Sequence, residues 1–137
     1  MGHQLSFKMA YDYDLRAIDI NLPVALRSGS KTWAATAKLD PGSTFCIFQR
    51  LVGERLGFDI ERGILQWIGT ATGRFLTYGH ETTLFVLGIE TTATVYFAAD
   101  EHFSINVLGR VGWLNCVRMG LVDHDGRLFL SSYDDPA

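Results

Sequence analysis

The chain has 137 residues, enough for one domain with its own core, and its 47% hydrophobic and 20% charged content is that of a globular rather than a disordered protein. The formal net charge is -3 and no Lys/Arg run occurs, so the basic footprint of a nucleic-acid binder is missing. No apolar stretch approaches the roughly 20 residues of a membrane span, and Met1 to Tyr13 has no apolar core of signal-peptide length, so a soluble cytoplasmic protein is expected.

Residues 1–14 are polar with scattered aromatics and are expected to form a loosely attached arm to a domain over 15–131. Ile18, Ile20, Leu22, Val24 and Leu26 share one parity, with Asp19, Asn21 and Arg27 on the other, the period of a half-buried strand. Pro23 inside it predicts a sheet edge, because proline cannot donate to a ladder. Ser28-Gly29-Ser30 signals a turn, and Trp33, Ala35, Ala37 and Leu39 alternate along the returning strand into Asp40-Pro41-Gly42.

The period then changes. Phe48, Leu51, Val52 and Leu56 stand at helical spacing, predicting a short helix over 47–56 stopped by Gly57. Strands are predicted over 64–68 and 74–78, bracketing the small flexible segment Gly69-Thr70-Ala71-Thr72-Gly73, and again over 82–87 and 91–97, turning at Gly88-Ile89-Glu90. Ile105 to Gly109 reads as a short strand and 110–116 as one or two helical turns. Strands over 117–122 and 127–130 are joined across Asp125-Gly126, a strong hairpin signal, and 132–137 is a polar tail. The fold class is mainly β, a sandwich or barrel with one or two short helices.

Chemistry is sparse. His3, His80, His102 and His124 have no zinc-pair or finger spacing, so neither a metal nor another cofactor is expected. Cys46 and Cys116 are far apart, without a Cys-x-x-Cys pattern, and are read as reduced, buried thiols. Ser43 lacks a Gly-x-Ser-x-Gly elbow, no spacing favours a Cys–His pair, and there is no glycine-rich phosphate loop. Asp40 remains, at the end of an apolar strand and followed by glycine and hydroxyl residues. Its carboxylate is placed to accept the Gly42 N–H and the Ser43 hydroxyl, which would hold it in place. On turn chemistry alone the segment is read as a plain β-turn.

Together, Leu39-Asp40-Pro41-Gly42-Ser43-Thr44 and the later Val107-Leu108-Gly109-Arg110 make the chain resemble the retropepsin-like aspartic protease family, closest to its bacterial single-domain members, over about residues 16–131. That family places an Asp-Thr-Gly or Asp-Ser-Gly turn after an early hairpin and an apolar-apolar-Gly strand near the C-terminus. The resemblance implies a closed β-barrel or sandwich, a homodimer with one Asp40 per chain, a peptide or protein substrate, and a mobile flap with Gly69, Thr70, Ala71, Thr72 and Gly73 at its tip. Pro41 stands where the family has Thr or Ser, and it has neither hydroxyl nor N–H to bridge the two chains beneath the aspartates.

Two functions therefore follow from the resemblance: an aspartic endopeptidase with Asp40 as its catalytic residue, supported in its turn by Pro41, Gly42, Ser43 and Thr44, or a catalytically silent module that binds peptides or dimerises. A β-barrel that binds small molecules without a carboxylate pair is a third reading. Trp67 and Trp113 are expected in the core, and Arg110 as either a carboxylate's partner or an exposed arginine.

Overall fold

The computed structural model describes residues 1–136. Ten strands run in chain order: β1 (Met9–Asp12), β2 (Asn21–Ser28), β3 (Lys31–Leu39), β4 (Ile47–Phe48), β5 (Ile64–Thr70), β6 (Gly73–Val86), β7 (Ile89–Ala98), β8 (Val107–Leu108), β9 (Val117–Val122) and β10 (Arg127–Ser132). One short helix, α1 (Arg50–Arg55), follows β4, and single 3-10 turns lie at Ile60–Arg62, Leu114–Cys116 and Asp123–Asp125. No helix among the described residues is long and apolar enough to cross a membrane.

The main sheet has seven strands in the order β2-β3-β8-β4-β7-β6-β5. Its first strand, β2, also pairs with β6, so the sheet bends back on itself and leaves β5 bonded only to β6. A second sheet, β1-β10-β9, is antiparallel throughout. Leu22, Val24 and Leu26 from β2 meet Leu84, Val86, Val95 and Phe97 from β6 and β7 in one core, which Phe48, Val52 and Leu56 close from the helix side. Each such side chain contributes about 1.5–3 kcal/mol by leaving water.

The hairpin predicted at Ser28-Gly29-Ser30 is present, with Ser28 opposite Lys31 and Gly29 at a φ of 59°. A positive φ at the first position of a two-residue turn is the conformation a glycine adopts without cost. The stop at Gly57 is also present, with a φ of 87°.

Several expectations are corrected. Met9 to Asp12, within the predicted arm, form a strand on β10, and Tyr13 is buried behind them. Four residues are too short a run to announce their pairing. The strand predicted from Ile18 begins at Asn21, and Ile18 is fully exposed. Pro23 marks an edge only at its own position. From Val24 to Arg27 the same strand is bonded on both sides, to β3 and to β6. The predicted helix loses its first turn to β4, because Ile47 and Phe48 pair in parallel with Tyr96 and Phe97, and Leu51 faces solvent.

The strands predicted over 74–78 and 82–87 are one strand of 14 residues, and the turn that ends it is Leu87-Gly88. Residues 110–116 hold a single 3-10 turn. β10 runs through Ser132, into the expected tail, whose last residue, Ala137, lies outside the described residues.

Candidate functional site

Asp40 is the first residue past β3, and its position is set by β8, far along the chain. β8 lies parallel to β3, with Lys38 opposite Val107 and Leu39 opposite Leu108. The Asp40 N–H continues that ladder, donating to the Leu108 carbonyl at 3.0 Å. The turn then closes with Ser43 N–H on the Asp40 carbonyl at 3.0 Å, and the Gly42 N–H donates to Asp40 Oδ1, also at 3.0 Å. This is a carboxylate-capped turn, in which Asp40 is half-buried and its side chain is fixed by the backbone two residues on. Pro41 supplies the fixed φ such a turn uses and contributes no N–H.

The hydroxyl expected on Asp40 is elsewhere. Ser43 Oγ donates to the Phe45 carbonyl at 2.8 Å, which leaves the Gly42 N–H as the donor holding the carboxylate. Among the described residues, no histidine, cation or second acid bonds to Asp40 within one chain, so one chain presents one carboxylate here.

Past the turn, residues 43–45 run against 109–111. Arg110 N–H bonds to the Ser43 carbonyl at 2.9 Å and Val111 N–H to the Thr44 carbonyl at 2.8 Å. The approach is so close at Gly109 that a Cβ there would stand 2.1 Å from the Phe45 carbonyl oxygen. Gly109 N–H meets Cys46 Sγ at 3.4 Å. Cys46 is wholly enclosed, and burial pushes its thiol up to about 11, so it acts as packing and a weak acceptor rather than a nucleophile. The structure thus brings together the two segments singled out in the sequence, Leu39 to Thr44 and Val107 to Gly109.

The β5–β6 hairpin lies across from this turn. Trp67, Ile68 and Gly69 face Gly42, Ser43, Thr44 and Phe45 over a cleft of about 180 Å³. The hairpin tip is the turn Ala71-Thr72 between the paired Thr70 and Gly73, and Thr70 Oγ1 donates to the Gly73 carbonyl at 3.0 Å. Of the five tip residues, only Gly69 lines the cleft; Thr70, Ala71, Thr72 and Gly73 stand beyond it, exposed.

Trp67 is 44% exposed, with the Arg74 guanidinium 4.5 Å from its ring centre, so its core assignment is corrected. It sits on β5, the strand at the end of the sheet order, and lines the cleft. Trp113 is buried as expected, and Arg110 is exposed. Among the described residues, no cluster of three or more His, Cys, Asp or Glu is disposed to hold a metal ion.

Sequence reasoning missed Asn106. Its Oδ1 accepts the Gln49 N–H at 2.9 Å and its Nδ2 donates to the Thr36 carbonyl at 3.1 Å. The signal was a lone amide in the apolar run Ile105-Asn106-Val107-Leu108.

No protein-family model matches the sequence, and no curated protein does. Among solved structures, the chain is similar to the EIAV protease complexed with the inhibitor HBY-793, with a TM-score of 0.56 and 18% sequence identity over 73% of this chain and 88% of that one. At that identity the likeness establishes the fold: mainly β and retropepsin-like, as the two motifs implied.

Proposed function

We propose that the protein is an aspartic endopeptidase that works as a homodimer, each chain contributing one Asp40. The observation that carries this reading is the turn itself: a carboxylate at the end of β3, anchored through its own N–H to Leu108 and through Oδ1 to Gly42, opposite an exposed hairpin. The retropepsin-like fold supports it.

Two Asp40 carboxylates facing each other across a two-fold axis share one proton, because two like charges so close do not both ionise. Their titration belongs to the pair. The ionised member takes a proton from a bound water as that water attacks the scissile carbonyl, and the protonated member gives its proton to the carbonyl oxygen. The tetrahedral intermediate then collapses: the carboxyl that took the water's proton passes it to the amide nitrogen, the C–N bond breaks with the nitrogen leaving as the amine, and the other carboxylate takes back a proton from the intermediate's hydroxyl as the product carboxyl forms, which restores the pair. Closure of the β5–β6 hairpin over the peptide excludes water from that step.

Pro41 changes how the carboxylates are held. No hydroxyl or N–H at that position crosses the axis, so the orientation of each Asp40 rests on the Gly42 N–H of its own chain.

The test is cleavage of a diverse peptide mixture between about pH 3.5 and 7, where a shared-proton pair operates, with the oligomeric state followed by sedimentation. Asp40→Asn keeps the oxygen that accepts the Gly42 N–H, so it should fold and dimerise as the parent does while losing all cleavage. Cleavage that survives the substitution, or a chain that stays monomeric in every condition, overturns the reading. A dimer inactive in both forms is the silent peptide-binding or dimerisation module.

A further inference from the structure

We propose that Asn106 is a positioning residue for Asp40: its side-chain amide fixes the register of β8, and through β8 the place of the catalytic carboxylate. The inference deepens the reading of Asp40 given above and rests on it for its catalytic consequence, but not for its structural one.

The need for such a device lies in β8 itself. It is two residues long, with two Cα pairs to β3 and one to β4. A strand that short has too few ladder bonds to define its own register, and a slip by one residue exchanges the faces of its side chains. The Leu108 carbonyl, which receives the Asp40 N–H, would move with it.

Asn106, immediately before β8, is bonded in three directions. Its main-chain carbonyl accepts the Lys38 N–H at 2.8 Å, its Nδ2 donates to the Thr36 carbonyl at 3.1 Å, and its Oδ1 accepts the Gln49 N–H at 2.9 Å. Thr36 and Lys38 belong to β3, the strand that ends on Asp40. Gln49 is the residue before α1, at a helix start that has no side-chain cap of its own. One side chain therefore ties β8 to both strand and helix.

The chemistry selects an amide. The site asks for a donor toward a carbonyl and an acceptor toward an N–H on one short side chain, and a carboxamide offers both. An ionised aspartate would set a negative oxygen against the Thr36 carbonyl. An apolar residue would leave that carbonyl and the Gln49 N–H without their partner. A protonated aspartic acid, by contrast, has one O–H donor and one carbonyl acceptor in nearly the same places. Asn106→Asp should therefore fail when ionised and recover when protonated.

The experiment compares the parent, Asn106→Ala, Asn106→Asp and a control, Leu130→Val, which loosens the core in the other sheet. Amide hydrogen exchange at Asp40 and Gly42 needs no enzymatic activity. Relative to the control, it should speed up roughly tenfold in Asn106→Ala, the equivalent of about one lost hydrogen bond. In Asn106→Asp the same acceleration should appear at pH 7 and vanish near pH 3.5.

In the cleavage assay, kcat should fall roughly ten- to a hundredfold in Asn106→Ala, the effect of misplacing a reacting group by about 1 Å, with KM within about twofold of the parent. Unchanged Asp40 exchange in Asn106→Ala beyond that of Leu130→Val overturns the inference, and so does an Asn106→Asp defect indifferent to pH. A parent that cleaves nothing overturns the protease reading instead, and the exchange data then decide the role of Asn106 alone. Should Asn106→Ala not fold, the pH dependence of exchange in Asn106→Asp decides between the same two outcomes.

Discussion

Gly109→Ala is the substitution whose cost can be worked most directly from the structure. The added Cβ would lie 2.1 Å from the Phe45 carbonyl oxygen, 2.7 Å from its carbon and 2.8 Å from the Ser43 carbonyl oxygen. An ordinary carbon–oxygen contact is roughly 3.3 Å, so the shortest of these overlaps by more than an ångström. All three neighbours are main chain, and no rotamer change clears them. The crossing segments must separate, which stretches the bonds from Arg110 N–H to Ser43 and from Val111 N–H to Thr44, now 2.9 and 2.8 Å.

The expected cost is at the upper end of overpacking, about 3 kcal/mol. For a domain of this size that lowers Tm by roughly 10 °C. Thermal unfolding followed by circular dichroism measures it. Gly69→Ala, where a Cβ meets nothing within 4 Å, serves as the reference and should stay within about 0.5 kcal/mol of the parent. A Gly109→Ala protein that melts within about 2 °C of the parent would refute the close crossing, and with it the account of how Asp40 is placed. Cleavage should disappear in Gly109→Ala even where the protein remains folded.

The remaining predictions concern ionisation. Tyr13 is pushed up to about 12, first by burial and then by its hydrogen bond to Asp123. A folded-state pKa above the ordinary tyrosine value near 10 means that the neutral phenol stabilises the fold below about pH 10, and that this contribution is lost as pH rises toward 12. The difference in urea midpoint between the parent and Tyr13→Phe should therefore shrink between about pH 9.5 and 11.5; parallel curves would contradict it. The two thiols should differ as well. With its thiol at about 11, Cys46 has roughly one part in a thousand as thiolate at pH 8. Native protein should take up iodoacetamide at the half-buried Cys116 alone, and at both cysteines in urea. Alkylation of Cys46 under native conditions would show that the turn opens.

Most of the β architecture was legible because it is written in local pattern. Period-two alternation marked β2 and β3, and glycines marked the ends of the first hairpin and the helix at Gly29 and Gly57. Asp125-Gly126 marked the last hairpin, with Gly126 in the left-handed region. These features depend on a residue and its near neighbours, so the chain alone determines them.

β4 is of another kind: two apolar residues have no period, and Ile47 and Phe48 become a strand only because β7 offers them a ladder. The short strand read over 105–109 is present as β8, but its partners β3 and β4 are set by the tertiary structure. Trp67 was assigned to the core on its side chain, and only the order of the sheet, with β5 outermost, leaves it facing the cleft. For the candidate site, the sequence by itself determined a carboxylate in a proline-glycine turn. The tertiary structure decided what that turn rests on: Leu108 beneath the Asp40 N–H, Gly109 against Phe45, and Asn106 holding both strands. Those contacts join segments far apart in the chain. No local propensity encodes them, since they form only when the whole core has closed.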